Sequence, residues 1–444
     1  MVRWGQHQVL NLWVAAKWTV GIAAPGLGIA LLLLSVVVRA DDKTPKAASL
    51  FTYPRGGPER TGAYPETQMP DRPATVWIDA LGSNTGTPVV TGDRMIVGNR
   101  SGDLLALSLK DGAVVWTVAE VGWDVMVAPV VVGDRIYCAS NRGLTAHSLT
   151  DGSVVWRKDI QGGSTESSPL VVGELVVVGG ADGFVYALDA RSGKERWKAD
   201  VVTGAPADPE GFPGARARGG NNAARPGMAA SDGMHVFISM FDQSRVLALD
   251  LKTGEARWSF QAKGWIAGGP TVGEGKVFFG SQDHKIYALE AGTGKVAWAF
   301  ATKWRADGGL AYCDGSVFAS ASDGRCYRLD AQTGRKVWEY ETEVGPDQKH
   351  YFLSPAPLID ATAVYFGSWD GYLYALKRKD GTLKWRHRPH DNDEHVGAPI
   401  TDGNRLYVPL TPLFDFENQR DKKGVHGIAA IGSAQEVAPD APMP

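Results

Sequence analysis

Apolar residues in this chain come in short runs rich in Val, Ile, Leu and Tyr. Each run is cut by turn residues: first a Gly-Asp or similar pair, then Asp-Gly, then Thr-Gly or Asp-Gly ahead of a run that carries a tryptophan. Runs of this composition between such punctuation read as β-strands joined by tight hairpins. The Asp-Gly pairs at 182–183, 323–324 and 370–371 supply the positive-φ backbone that a two-residue turn needs. Four strands, A to D, make one unit, and the unit repeats. SPLVVGELVVVGGADGFVYALDARSGKERW (168–197), GPTVGEGKVFFGSQDHKIYALEAGTGKVAW (269–298) and APLIDATAVYFGSWDGYLYALKRKDGTLKW (356–385) align without a gap.

The tryptophan that ends each unit falls at Trp77, Trp116, Trp156, Trp197, Trp258, Trp298, Trp338 and Trp385, with spacings of 39, 40, 41, 61, 40, 40 and 47. A period near forty residues predicts stacked or radial repeats. Four-stranded units with two apolar faces cannot bury themselves singly, so they pack face to face, and closing the ring removes the exposed ends of an open stack. The expected fold is all-β, an eight-bladed β-propeller forming a monomeric ring. The repeating tryptophans are then structural wedges between blades. Burying ~150–250 Å² each at ~25 cal/mol/Å² contributes a gross few kcal/mol per blade. After Trp385 come strand-like runs at 398–401, 404–409 and 425–431 but no tryptophan strand, whereas ATVWIDA (74–80) is a tryptophan strand with no blade before it. Pairing the two closes the ring, so the propeller is expected over 74–433. A linker and lead-in then occupies 41–73, and a tail 434–444.

Composition agrees with a folded protein: 444 residues, 44% hydrophobic and 21% charged, with a formal charge of −3 that gives no nucleic-acid footprint. The first forty residues differ. They carry Arg3, Lys17 and Arg39 but no acid, an apolar run at 27–38 and Val-Arg-Ala-Asp at 38–41. That is the layout of a secretory signal cut after Ala40. The 19 apolar residues from Val20 to Val38 would alternatively serve as an uncleaved membrane tether. Either way the ring is expected in the periplasm or outside the cell. Cys138, Cys313 and Cys326 are an odd count without CxxC spacing, which points away from a disulfide framework or thiolate metal site.

ALDARSGKERW (187–197), ALDLKTGEARW (248–258), ALEAGTGKVAW (288–298) and RLDAQTGRKVW (328–338) resemble the tryptophan-docking signature of the PQQ-like β-propeller repeat family. YPRGGPERTG (53–62) is similar to the segment that often precedes its first blade. The resemblance spans roughly 53–431 and implies two outcomes. In one branch, the quinoprotein alcohol dehydrogenases, pyrroloquinoline quinone (PQQ) and calcium sit at the ring centre, with an adjacent-cysteine disulfide and a carboxylate base. This chain has no adjacent cysteines and no CxxCH. The other branch, similar to the BamB outer-membrane assembly factor, binds no quinone and makes protein contacts through its loops. This sequence sits closer to it, although it lacks that factor's lipid-attachment cysteine.

In such a ring the D-to-A and B-to-C loops emerge on one face, and the unusual residues fall there. They include Trp123 and Asp124, Glu166, Trp265, Trp304 with Arg305 and Asp307, His350 and Tyr351, and HDNDEH (390–395), ending in His395. Aromatics beside arginine suit a protein-contact surface; the alternative is that some tryptophans plug the channel. The insert at 201–227, with Arg216, Arg218 and Arg225, reads either as a basic finger for an acidic partner or as a tolerated loop extension. HDNDEH does not match a calcium loop and reads as a solvated polar loop. The sequence-level expectation is an exported, non-catalytic scaffold for a protein partner in the cell envelope, with no cofactor and no metal. The alternatives are a PQQ- or metal-dependent oxidoreductase and a carbohydrate-binding propeller.

Overall fold

Burial on both faces governs the central strands of every blade. The computed structural model describes residues 55–79, 86–99, 101–119, 121, 127–163, 167–202, 226–240, 243–306, 308–342, 355–390, 394–412, 414–415, 420–421 and 427–436. The signal or tether reading of residues 1–40 lies outside them. Blade 5 is typical: Thr271–Gly273, Lys276–Ser281, Lys285–Glu290 and Val296–Ala301 form an antiparallel meander. Neighbouring residues of its second strand serve different cores. Phe279 packs with Trp258 and Phe237 of blade 4, while Phe278 packs with Val317 and Leu329 of blade 6. Side chains alternate across a strand, so a sheet covered on both faces reads as an uninterrupted apolar run.

Six further four-stranded sheets of the same order, blades 1 to 4, 6 and 7, lie in that sequence at 89–118, 130–159, 170–200, 226–261, 310–341 and 358–387. Blade 8 is built from both ends of the propeller. Pro73–Asp79 pairs with Gly427–Ser433, which pairs with Leu406–Pro412, and that strand takes Ile400–Thr401 and Glu394–Val396 along its other edge. The innermost strand Val89–Thr91 of blade 1 touches Ile400–Thr401 of blade 8 on one side and Val130–Val132 of blade 2 on the other, so the ring closes. Blades 7 and 8 share a core of Leu358, Tyr365, Val408 and Leu410.

A typical docking tryptophan joins two blades in three ways. Within its own sheet it lies opposite a small residue: Ala187 faces Trp197, Ala248 faces Trp258, Ala288 faces Trp298 and Ala430 faces Trp77; only in blade 6 is the partner large, Arg328 facing Trp338. Its indole lies on the glycine of the next blade's C-to-D turn. A Cβ on Gly254 would come 2.6 Å from Trp197, and one on Gly334 2.6 Å from Trp298. Its N–H donates to a carbonyl of that next blade, as from Trp197 to Leu251 (2.9 Å), Trp258 to Ala291 (2.8 Å) and Trp298 to Ala331 (2.9 Å). Trp116 departs from the pattern: its Nε1 is buried without an acceptor, while the corresponding carbonyl, of Leu149, takes Arg94 Nη1 at 3.1 Å.

The Asp-Gly turns do more than turn. Gly183, Gly324 and Gly371 have φ of 84°, 75° and 81°, and the preceding aspartates accept the hydroxyls of Tyr186, Tyr327 and Tyr374, each at 2.5 Å.

Candidate functional site

Two regions bring together groups that the blade repeat does not require. The first is the rim of D-to-A and B-to-C loops. Trp265 follows the outer strand Ala256–Gln261, and its carbonyl accepts the Gln282 N–H of blade 5's B-to-C turn at 2.8 Å. On the other side of that turn, the His284 carbonyl accepts Thr302 N–H at 2.9 Å, and the His284 ring lies 5.0 Å from the Trp304 ring. The Arg305 guanidinium is 6.0 Å from the same indole. Trp265 and Trp304 are 47% and 43% exposed, against 8% for the docking residue Trp298. Trp265, Trp304 and Arg305 therefore gather around the turn at 282–284.

His395 is placed differently. The run that contains it reads as a solvated loop, but His395 lies on the short strand Glu394–Val396, half-buried, with its ring 3.9 Å from that of Trp369. Strand pairing turns its side chain onto blade 7's B-to-C turn, and burial brings the imidazole down to about 4. Trp123, Asp124, Glu166, Arg216, Arg218, Arg225, Asp307, His350 and Tyr351 lie outside the described residues. By sequence Trp123 stands at the same offset from Trp116 as Trp265 does from Trp258.

The second region is the ring axis, where a funnel of about 260 Å³ is bounded by residues at the start of the innermost strand of every blade. Thr87, Ala128, Ser168, Met228, Gly268 and Gly309 represent blades 1 to 6; Pro357 and Pro399 represent the last two. Its floor is the lead-in segment, with Arg55, Arg60, Gly62 and Tyr64.

That segment lies inside the ring. Pro58, Glu59, Thr61 and Gly62 offer their carbonyls to the N–H groups of Ser231, Val272, Tyr312 and Ile359, at 2.9, 2.9, 2.7 and 2.9 Å, one in each of blades 4 to 7. Innermost strands are sheet edges with unpaired backbone groups, and the segment satisfies them. The approach is close: Gly62 has φ of 66°, and a Cβ there would meet the Pro357 carbonyl at 2.8 Å. Arg55 and Arg60 also adopt positive φ, 70° and 53°, a conformation non-glycine residues hold only when the surroundings enforce it.

Arg60 is 1% exposed; its Nε donates to Ala229 O at 2.5 Å and its Nη2 to Ser168 O and Pro169 O at 3.2 Å each. Arg55 Nη2 donates to Thr271 Oγ1 at 2.9 Å, while its Nε and Nη1 are buried without a partner. Burial first, and then the Arg60 charge, brings Arg55 down to about 9. Burial also raises the Tyr64 hydroxyl above its ordinary range. Sequence reasoning did not single out these arginines; the available signal was two cations in a Gly- and Pro-rich stretch just ahead of the first strand.

A quinone with calcium is the cofactor such a ring implies elsewhere. The described funnel lining holds no carboxylate to ligate the cation or act as a base, so these residues do not fit that pair. The three cysteines are buried free thiols, with burial pushing Cys138 up to about 12 and Cys313 up to about 11.

The tryptophan-docked ring with its axial lead-in defines an eight-bladed PQQ-type repeat propeller. The profile of the PQQ-repeat family described as outer membrane protein assembly factor BamB matches residues 70–258 and 242–409, and the chain belongs to that family. A search of curated proteins found no match. Among solved structures, BamB from Moraxella catarrhalis is 20% identical, covering 81% of this chain and 97% of that one, with a TM-score of 0.58. The quinohemoprotein alcohol dehydrogenase ADHIIG from Pseudomonas putida HK5 is 16% identical, covering 87% and 81%, with a TM-score of 0.66. A europium-containing methanol dehydrogenase is 15% identical, covering 86% and 98%, with a TM-score of 0.67. At these identities the likeness is one of fold.

Proposed function

We propose that this protein is a non-catalytic scaffold of the cell envelope that binds a protein partner through the loop rim around Trp265, Trp304 and Arg305. The observation that carries the reading is the pair of exposed indoles flanking one rigid turn. Tryptophan and arginine dominate the energetics of protein contacts: tryptophan buries a large area with few rotamers to freeze, and arginine adds a planar fork of charged hydrogen-bond donors that also stacks on aromatic rings. Membership of the BamB-described family supports an assembly role outside the cytoplasm, as does the signal-like sequence of residues 1–40.

The test is site-specific photocrosslinking in native envelopes of the source cell, with the probe at 265 or 304 and, as control, at Val296 on an outer strand, which is 49% exposed. The same partner is expected from both rim positions and not from 296. Trp265→Ala/Trp304→Ala should lose it while unfolding at an unchanged midpoint. Equal capture from all three positions would sink the proposal. A glycan array supplies the rival outcome, since saccharide binding lost in the same variant would assign the rim to carbohydrate.

A further inference from the structure

Among the described residues, the funnel floor carries two positive charges and no negative one. Arg60 is committed to the ring through the carbonyls of Ala229, Ser168 and Pro169. Arg55 is not: Nη2 reaches Thr271, but Nε and Nη1 are shielded from water without an acceptor. A buried cation short of acceptors is costly in apolar surroundings unless negative charge is brought to it. The neighbouring Arg60 adds to that cost, as the lowered Arg55 value reflects. Nothing in the described lining offsets it, for the remaining wall is small, apolar or hydroxylic.

We propose that the funnel is a binding site for a small organic carboxylate, its charged end on Arg55 and its hydrocarbon body against Met228, Pro357 and Ile400. A planar guanidinium matches a carboxylate in shape and charge. A phosphate would turn its remaining oxygens toward proline and methionine side chains and glycine backbone. The volume of about 260 Å³ is at or below the lower end of ordinary ligand pockets, which selects a ligand of a few carbons. The site is separate from the tryptophan rim, so it stands whether or not the scaffold reading does.

Isothermal titration of the full chain with butyrate, butyramide and inorganic phosphate tests it. Butyrate should bind saturably at one per chain, with butyramide and phosphate each at least tenfold weaker. Arg55→Gln should weaken butyrate at least tenfold and abolish the rise in melting temperature that butyrate produces, whereas Arg55→Lys should keep part of both. Neither variant touches the Arg60 bonds, and an unchanged far-UV circular dichroism spectrum checks the fold. Butyramide binding as tightly as butyrate, phosphate binding more tightly, Arg55→Gln binding like the parent protein, or no heat from butyrate would each overturn the assignment.

Discussion

Gly334 and Trp298 isolate the contact that docks one blade on the next. Gly334 lies in blade 6 at φ of 70°, and a Cβ there would sit 2.6 Å from Trp298 Cδ2 in blade 5. Gly334→Ala therefore carries two costs. An L-residue in the left-handed region loses about 1–2 kcal/mol, and overpacking against the indole adds about 1–3 kcal/mol. The indole has little freedom to slide away. Its Nε1 is held by Ala331 O at 2.9 Å and its ring lies 5.9 Å from Phe278. The single variant should lose about 2–5 kcal/mol on these terms, and Trp298→Ala alone about 3–5 kcal/mol as a buried truncation. In the double variant the overpacking disappears with the indole, leaving only the backbone cost. The double variant should then be about 1–3 kcal/mol more stable than additivity gives. Urea unfolding followed by far-UV circular dichroism measures this without depending on indole fluorescence. Losses that add to within about 0.5 kcal/mol, as they do for independent sites, would refute glycine–tryptophan docking as the joint.

Three further outcomes follow from the same structure. Trp304→Ala, at a side chain 43% exposed, should change stability by no more than about 0.5 kcal/mol; a loss matching that of Trp298→Ala in urea unfolding would make it a structural residue. Arg60→Met strips the donor from the carbonyls of Ala229, Ser168 and Pro169 and should cost about 2–4 kcal/mol; an unchanged thermal midpoint would mean that the lead-in does not brace the axis. His395 is brought down to about 4 by burial, whereas an unfolded chain takes up that proton near pH 6.5. Its contribution is thus whole above pH 6.5, declines as pH falls toward 4 and is level below. At ~1.4 kcal/mol per unit the decline is about 3 kcal/mol, or about 2 after allowing for partial exposure. His395→Phe should flatten that segment of the stability curve, and identical pH profiles for the two proteins would remove His395 as the cause.

The ring was legible because each joint is written locally. An alanine opposite the tryptophan, a glycine four residues before it and a near-constant interval recur in most units, as in ALDLKTGEARW around Ala248, Gly254 and Trp258; Arg328 replaces the alanine in blade 6 and Pro73 the glycine before Trp77. Closure was legible too, since a lone tryptophan strand at one end and three strands lacking one at the other have a single simple solution. The rim was half legible. Trp265 and Trp304 stand out as aromatics in loops, but only the bond from Gln282 N–H to the Trp265 carbonyl and the contact of the Trp304 ring with His284 bring them around one turn. The axial arginines were legible only as two cations in a Gly- and Pro-rich stretch, not as a site: Arg55 reaches a residue 216 positions away and Arg60 reaches carbonyls 108 to 169 positions away. No local pattern encodes a contact of that separation. His395 misleads for the same reason, because its polar neighbours say nothing of Trp369 beneath it.

The lead-in and the closing strand act as one device. A ring of nearly equivalent joints has no preferred place to stay shut, and opening any one of them exposes two apolar faces. Residues 55–79 answer this by touching almost every blade. Arg60 reaches blade 3, backbone carbonyls take blades 4 to 7, and Met69 N–H donates to Asp360 at 2.9 Å while Pro70 O receives Trp385. The same stretch then becomes the outer strand of blade 8 and docks Trp77 on blade 1, at the Leu109 carbonyl. Breaking any joint from blade 3 round to blade 1 therefore also strains this tether. Such a core can hold an uncompensated cation at its axis, since the backbone from Arg55 onward is fixed by contacts that do not involve its side chain, beginning with the Gly62 N–H that donates to the Arg55 carbonyl at 2.8 Å.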